Sequence, residues 1–386
     1  MTRVPELRFV GFAGEWEEKK LSEISILNPK SDSLPEIFNY VDLSSVNGTK
    51  LIESRKINKI DAPSRAQRYA KKGDIFYQTV RPYQRNNYFF DLNDDDYVFS
   101  TGYAQIRARY NAYYLFSQMQ TNKFVDSILN RCTGTSFPAI STSDLSDMKL
   151  LISTSEEEQE KIGDLFSKID QLIESQQELV DQTMAFKKSM LQKMFPKKDS
   201  LVPEFRFDGF SGSWQTVKVK DIFKITRGNV LSRERTSEEK TEIFSYPVYS
   251  SQTTSNGLMG YYNDYLFDTA ITWTTDGANA GDVNFRNGKF YATNVCGVLL
   301  SEKKHSNKAV AEILNSIAYK HVSKVGNPKL MNNVMSEIII RIPNSIEEEI
   351  KISNFLENID EKIAREEKLL DAYKDMKKSL LQKIFV

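Results

Sequence analysis

A chain of 386 residues, set against roughly 150 residues per domain, implies two or three domains and excludes a mini-protein. Its 40% hydrophobic and 27% charged content, with a mean hydropathy of −0.47, excludes disordered and fibrous classes. Fifty-two Lys and Arg balance 52 Asp and Glu, which rules out a uniformly basic nucleic-acid binder and leaves room for a local basic face. Cys132 and Cys296 stand far apart and in no metal-ligating spacing, so buried free thiols in a reducing compartment are expected. A charged N-terminal stretch and the lack of a long apolar run predict a cytoplasmic protein with neither signal peptide nor membrane span.

In chain order, the first segment of note is Pro5-Glu6-Leu7-Arg8-Phe9-Val10-Gly11-Phe12-Ala13-Gly14-Glu15-Trp16. A globular stretch follows, rich in aromatic and β-branched residues, with a strand predicted from Ile75 to Val80 and helix near 112–130. Between them lies Arg81-Pro82-Tyr83-Gln84-Arg85-Asn86-Asn87-Tyr88. Its two guanidiniums, three amides and aromatic faces suit phosphates and base edges, so Arg81, Tyr83, Gln84, Arg85, Asn86 and Asn87 are candidate DNA contacts.

From Ser155 the pattern becomes helical. Ser155-Glu156-Glu157-Glu158 has the form of a capping box, and apolar residues then recur at a spacing near 3.5 through Ile162, Phe166, Ile169, Ile173, Met190, Leu191 and Met194 to Phe195, until Pro196 ends the helix. The opening motif then returns as Pro203-Glu204-Phe205-Arg206-Phe207-Asp208-Gly209-Phe210-Ser211-Gly212-Ser213-Trp214.

A second globular stretch, unlike the first, carries Ser250-Ser251-Gln252-Thr253-Thr254-Ser255-Asn256 and Trp273-Thr274-Thr275-Asp276-Gly277-Ala278-Asn279. From these, Ser251, Gln252, Thr254, Trp273, Thr274, Asp276 and Asn279 are candidate contacts, with Arg227 assigned beside them. Asn287-Gly288 between extended runs predicts a hairpin, and helix is expected near 306–321. The last segment repeats the first long helix: Ser345-Ile346-Glu347-Glu348 opens it, Ile352, Leu356, Ile359, Ile363 and Leu381 continue the seam, and Lys377-Lys378-Ser379-Leu380-Leu381-Gln382-Lys383-Ile384-Phe385 matches Lys187-Lys188-Ser189-Met190-Leu191-Gln192-Lys193-Met194-Phe195. Gln176 and Glu366 interrupt the two seams at equivalent positions, where a polar residue fixes register.

Duplication with matching ends and unlike middles is the strongest signal in the chain. Common catalytic sets are missing. There is no Walker loop, no His-Glu-x-x-His, no cysteine pair and no Asn/Asp-Pro-Pro-Tyr/Phe segment, and His305 and His321 read as solvated side chains.

With these motifs in hand, the chain resembles the specificity subunits of type I restriction-modification systems. The paired Pro-Glu-x-Arg-Phe-x-Gly-Phe-x-Gly-x-Trp segments and the paired Lys-Lys-Ser-x-Leu-Gln-Lys-x-Phe helix ends carry the resemblance. It implies an α+β fold of two globular α/β target recognition domains (1–152 and 197–343) and two long spacer helices (153–196 and 344–386) pairing as an antiparallel coiled coil with pseudo-two-fold duplication. Gly134-Thr135-Ser136-Phe137-Pro138-Ala139-Ile140 and Gly326-Asn327-Pro328-Lys329-Leu330 look like the family's glycine-initiated loops, adding Thr135, Ser136 and Lys329 to the DNA contacts.

No catalysis by this chain is implied. The expected partners are double-stranded DNA, two methyltransferase subunits and restriction/translocase subunits, with S-adenosylmethionine, ATP and magnesium on those partners. Partner binding and helix pairing are assigned to Ile162, Phe166, Ile169, Ile173, Leu191, Phe195, Ile352, Leu356, Ile359, Ile363, Leu381 and Phe385, and helix length is expected to set the unread spacer between two unlike half-sites. The alternative is a duplicated coiled-coil scaffold that binds protein without reading DNA.

Overall fold

The structure is a computed structural model describing residues 3–30, 33–94, 96–134, 136–251 and 255–385. It divides into two compact units: Met1–Gln177 with Lys368–Val386, and Glu178–Glu367. The long helices run Glu156–Met194 and Ile346–Ile384, so each unit contains part of both.

In the first unit, the strand Asp74–Gln78 is buried along its whole length and separates two cores, because successive side chains on a strand point to opposite faces. Ile75 and Tyr77 enter a core with Trp16, Tyr114, Phe124 and Leu150. Phe76 points the other way, into an aromatic cluster where it stacks on Phe99 with centroids 3.6 Å apart and meets Phe90 and Tyr103 edge-on. This strand belongs to a sheet with Ser25–Leu27, Tyr103–Ala108 and Tyr88–Phe89, while Arg55–Asn58, Ile37–Val41, Tyr97–Ser100 and Ala66–Tyr69 form a second sheet. The helices Ala112–Gln118 and Asn122–Leu129 occupy the expected 112–130 region.

The second unit has one six-stranded sheet, in the order Lys224–Arg227, Cys296–Leu300, Phe267–Thr274, Val283–Ala292, Tyr246–Tyr249, Leu258–Tyr262. Its central strand repeats the alternation: Ile271 and Trp273 face the helix Lys308–Ala318, and Ala270 faces the opposite cluster. Gly297 lies opposite Trp273, and a Cβ there would sit 2.1 Å from the indole ring, so no larger residue fits.

Three local expectations are corrected. His305 is not solvated: it is buried, with Nδ1 3.0 Å from Glu349 Oε1. Asn287-Gly288 is not a hairpin. The strand Val283–Ala292 runs straight through it against Phe267–Thr274, with Asp268 opposite Lys289 and Ala270 opposite Arg286. Two residues therefore face the single Thr269, a bulge that the positive φ of Gly288 (74°) absorbs. The capping boxes are only half formed. Ser155 and Ser345 cap the helices by accepting from the amides of Glu158 and Glu348, but both glutamates turn away to the opening motif of their own unit. Glu158 takes Arg8 Nε and Nη2 at 2.6 and 2.9 Å, and Glu348 takes Arg206 Nε and Nη2 at 2.8 and 2.7 Å. A bidentate arginine outcompetes the backbone amide for the carboxylate because the pair is charge-assisted.

Helix pairing is antiparallel within each unit. In the first, Phe166 stacks on Phe385 and Asp170 pairs with Lys377 at 2.6 Å; in the second, Phe186 meets Phe355 and Lys187 pairs with Asp360 at 2.6 Å. The end of the second helix also lies beside the start of the chain, where Lys383 O accepts from Leu7 N at 2.9 Å; Lys193 O accepts from Phe205 N in the same way.

The assignment of the seam residues to partner binding needs correcting. Ile162, Phe166, Ile169, Leu381 and Phe385 are buried in the first unit's core, with Ile173 packed against it; Ile352 and Leu356 are buried in the second's, with Leu191 and Phe195 packed against it. Ile359 is buried and Ile363 half-buried. Apolar surface at that spacing covers the helices and their own globular unit together, so a partner would meet other faces. Exposed apolar residues on the helices include Leu172, Met184, Leu369 and Met376.

Candidate nucleic-acid interface

Despite their unlike sequences, the two globular parts build one frame at the end of the central strand. In the first unit Thr79 donates its N–H and Oγ1–H to Gly102 O, Arg81 N donates to Pro138 O, and Ile140 N donates to Thr79 O. In the second, Thr275 donates both groups to Val295 O, Gly277 N donates to Pro328 O, and Leu330 N donates to Thr275 O. The loops closing each frame are pinned by reciprocal bonds between Thr133 and Ala139 and between Ser323 and Lys329. The strand end and the glycine-containing loop are thereby held side by side in each unit.

The frame demands a left-handed residue at one position. The second unit supplies Gly277 (φ 97°), whereas the first supplies Arg81 (φ 55°). An L side chain there costs about 1–2 kcal/mol, and such strain is a signature of functional positions. The Arg81 guanidinium lies 4.2 Å from the centroid of the exposed Phe137 ring. Both flank a cavity of about 900 Å³, whose walls also include Arg65, Gln78, Gln84, Asn86 and Asn47.

Of the other first-unit candidates, Gln84 and Asn86 share this cavity with Arg81. Tyr83 and Gln84 are exposed, Gln84 accepting from Gln78 Nε2, and Asn86 accepts from Gly48 N. Asn87 is a correction: it is buried, with its side-chain oxygen bound to Gln78 N at 2.8 Å, and serves the strand end. Arg85 is half-buried, and its Nη2 donates to Asn122 Oδ1 at 2.8 Å, which ties the loop to the helix beginning there. Ser136 is exposed, and Thr135 lies outside the described residues.

In the second unit, Trp273 is the clearest correction. It is 1% exposed and its Nε1 donates to Leu330 O, so it is core. Thr274 is nearly buried, on the wall of a cavity of about 250 Å³. Asp276 lies 3.6 Å from Lys329 Nζ across the frame, Asn279 is half-buried, Ser251 half-buried and Arg227 exposed. Gln252 and Thr254 lie outside the described residues.

Sequence reasoning missed Arg286, which lies within a strand and in no loop motif. It is 8% exposed, and burial pushes its guanidinium below the usual arginine range. Its position opposite Ala270 was masked by the hairpin expected at Asn287-Gly288.

The model of the type I restriction modification DNA specificity domain matches residues 13–182 and 212–373. The chain belongs to this family. A putative type I specificity subunit of Mycoplasma pneumoniae, S.MpnORF507P, is 40% identical over 150 residues, covering 38% of this chain and 40% of that protein. The MpnII specificity subunit of the same organism is 38% identical over 175 residues, covering 42% of this chain and 52% of that protein. The alignments thus span about half or less of the length of these relatives, 40% and 52%. A crystal structure of a type I restriction-modification system S subunit from M. genitalium superposes with a TM-score of 0.71 at 15% identity, covering 99% of both chains. This family fold is the α+β duplication with long helices expected above. Among the described residues no helix is long and apolar enough to cross a membrane.

Proposed function

We propose that this chain is the sequence-reading subunit of a type I restriction-modification complex. Each globular unit reads one half of a bipartite, asymmetric DNA site, and the chain positions methyltransferase and restriction subunits on it. S-adenosylmethionine, ATP and magnesium belong to those subunits, and the chain itself is non-catalytic. The observation that carries this reading is the shared frame: one backbone scaffold presents Arg81 and Phe137 in one unit, and Gly277, Asp276 and Lys329 in the other. Identical scaffolds with unlike side chains are what two unlike half-sites require.

Exchanging the first globular part for that of a relative is expected to change one half-site only, read by methylome sequencing of a host expressing the exchanged chain with its partners. A change in both halves, or no sequence-selective methylation, would favour the scaffold alternative. At finer scale, Arg81→Gly relieves the left-handed residue and is expected to melt no lower than wild type. It should nonetheless weaken binding to the cognate site by about 1–3 kcal/mol and relax one base position of the first half-site. Unchanged discrimination in competition binding would remove Arg81 from the interface.

A further inference from the structure

A buried guanidinium normally has a carboxylate. Among the described residues none forms an ion pair with Arg286, although Asp282 stands on the wall of the same cavity. Instead Arg286 Nε donates to Thr272 Oγ1 at 3.0 Å, Nη2 donates to Asn256 O at 2.7 Å, and the guanidinium carbon lies 3.7 Å from the centroid of the Tyr249 ring. These contacts hold the fork in one orientation. The cavity it lines, about 250 Å³, is walled by Ser250, Thr274, Asn284 and Asn315, an almost wholly polar surface. Beside it, Ser250 N donates to Gly257 O at 2.8 Å.

We propose that Arg286 is a DNA-contacting residue of the second unit, its oriented guanidinium donating to a hydrogen-bond acceptor of the DNA in this cavity; the proposal rests on the DNA-reading function above. The acceptor is either the O6/N7 edge of a guanine or a backbone phosphate oxygen. Both are chemistries that a fixed arginine fork matches.

The test uses the full chain with its methyltransferase subunits and duplexes carrying the site found by methylome sequencing. Arg286→Lys keeps the charge and loses the fork. It is expected to bind the cognate duplex about tenfold or more weakly, with discrimination lost at one position of the second half-site if the acceptor is a guanine, or with uniform weakening across second-half-site sequences if it is a phosphate, and with discrimination kept throughout the first half-site in both cases. Duplexes bearing 7-deazaguanine, or a methylphosphonate, at each position of the second half-site then identify the source. The modification that removes the acceptor weakens wild type but leaves Arg286→Lys unaffected. Thr272→Val, which removes the hydroxyl orienting Nε, enters the same cycle as a variant that conserves core volume, and is expected to show the same coupling at smaller size.

Equal affinity and discrimination for folded variants, or additive losses with every modified duplex, overturn the proposal. Failure of the wild-type complex to bind DNA sequence-selectively would overturn the parent reading with it, whereas selective binding with no coupling to Arg286 overturns this inference alone.

Discussion

Glu158→Ala is expected to lower the stability of the chain by about 3–5 kcal/mol, measured as a fall in the urea midpoint at unchanged slope. Glu158 has no exposed surface and collects four donors: Arg8 Nε and Nη2, Trp16 Nε1 at 3.2 Å and Ser153 Oγ at 2.5 Å. Deleting the carboxylate leaves the Arg8 guanidinium, whose side chain is 14% exposed, without its counter-charge and the buried indole N–H without an acceptor. An unpaired buried ion costs far more than an exposed pair contributes. The same substitution at the exposed Glu157, which pairs with Lys161 one turn on, should cost no more than about 0.5 kcal/mol. Equal effects at both positions would show that the strap from the opening motif to the helix is not a main element of the first unit's stability.

Matched one-turn insertions in both long helices, four residues after Gln177 and four after Glu367, are expected to abolish methylation of the original site. They should create methylation at a site with the same half-sites and a spacer about one or two base pairs longer, from ~6 Å per turn against ~3.4 Å per base pair. The insertion points fall at the division between the units, so the Asp170–Lys377 and Lys187–Asp360 pairs keep their registers. Inserting a turn into the first helix alone is predicted instead to impair folding, because both helices contribute buried side chains to each unit. Methylome sequencing with the two insertion variants distinguishes these outcomes, and an active double insertion with the original spacer would show that the helices are not the ruler.

The duplication was legible because it rests on covalent order: two copies of one motif and two copies of one helix end need no tertiary knowledge to be seen. Their coupling was not. Arg8 and Glu158 were each read locally, the glutamate as a helix cap, and only folding brings an arginine across 150 positions to take it. The seam spacing announced buried helix faces, but periodicity cannot say what buries them, and the answer was each unit's own core. Arg81 was visible as a cationic loop residue; that the frame asks for a left-handed residue there, met by glycine in the other unit, became visible only when unlike sequences made the same hydrogen bonds. Trp273 and Asn87 looked like contacts because aromatic and amide side chains are common at interfaces, yet strand alternation turned the first into the core and a backbone bond claimed the second. Arg286 lay beside an Asn-Gly pair that signals a turn by itself. Composition and repetition therefore determined the architecture, while side-chain direction, which depends on a strand's partners and the register of its bulges, was decided only by the tertiary structure.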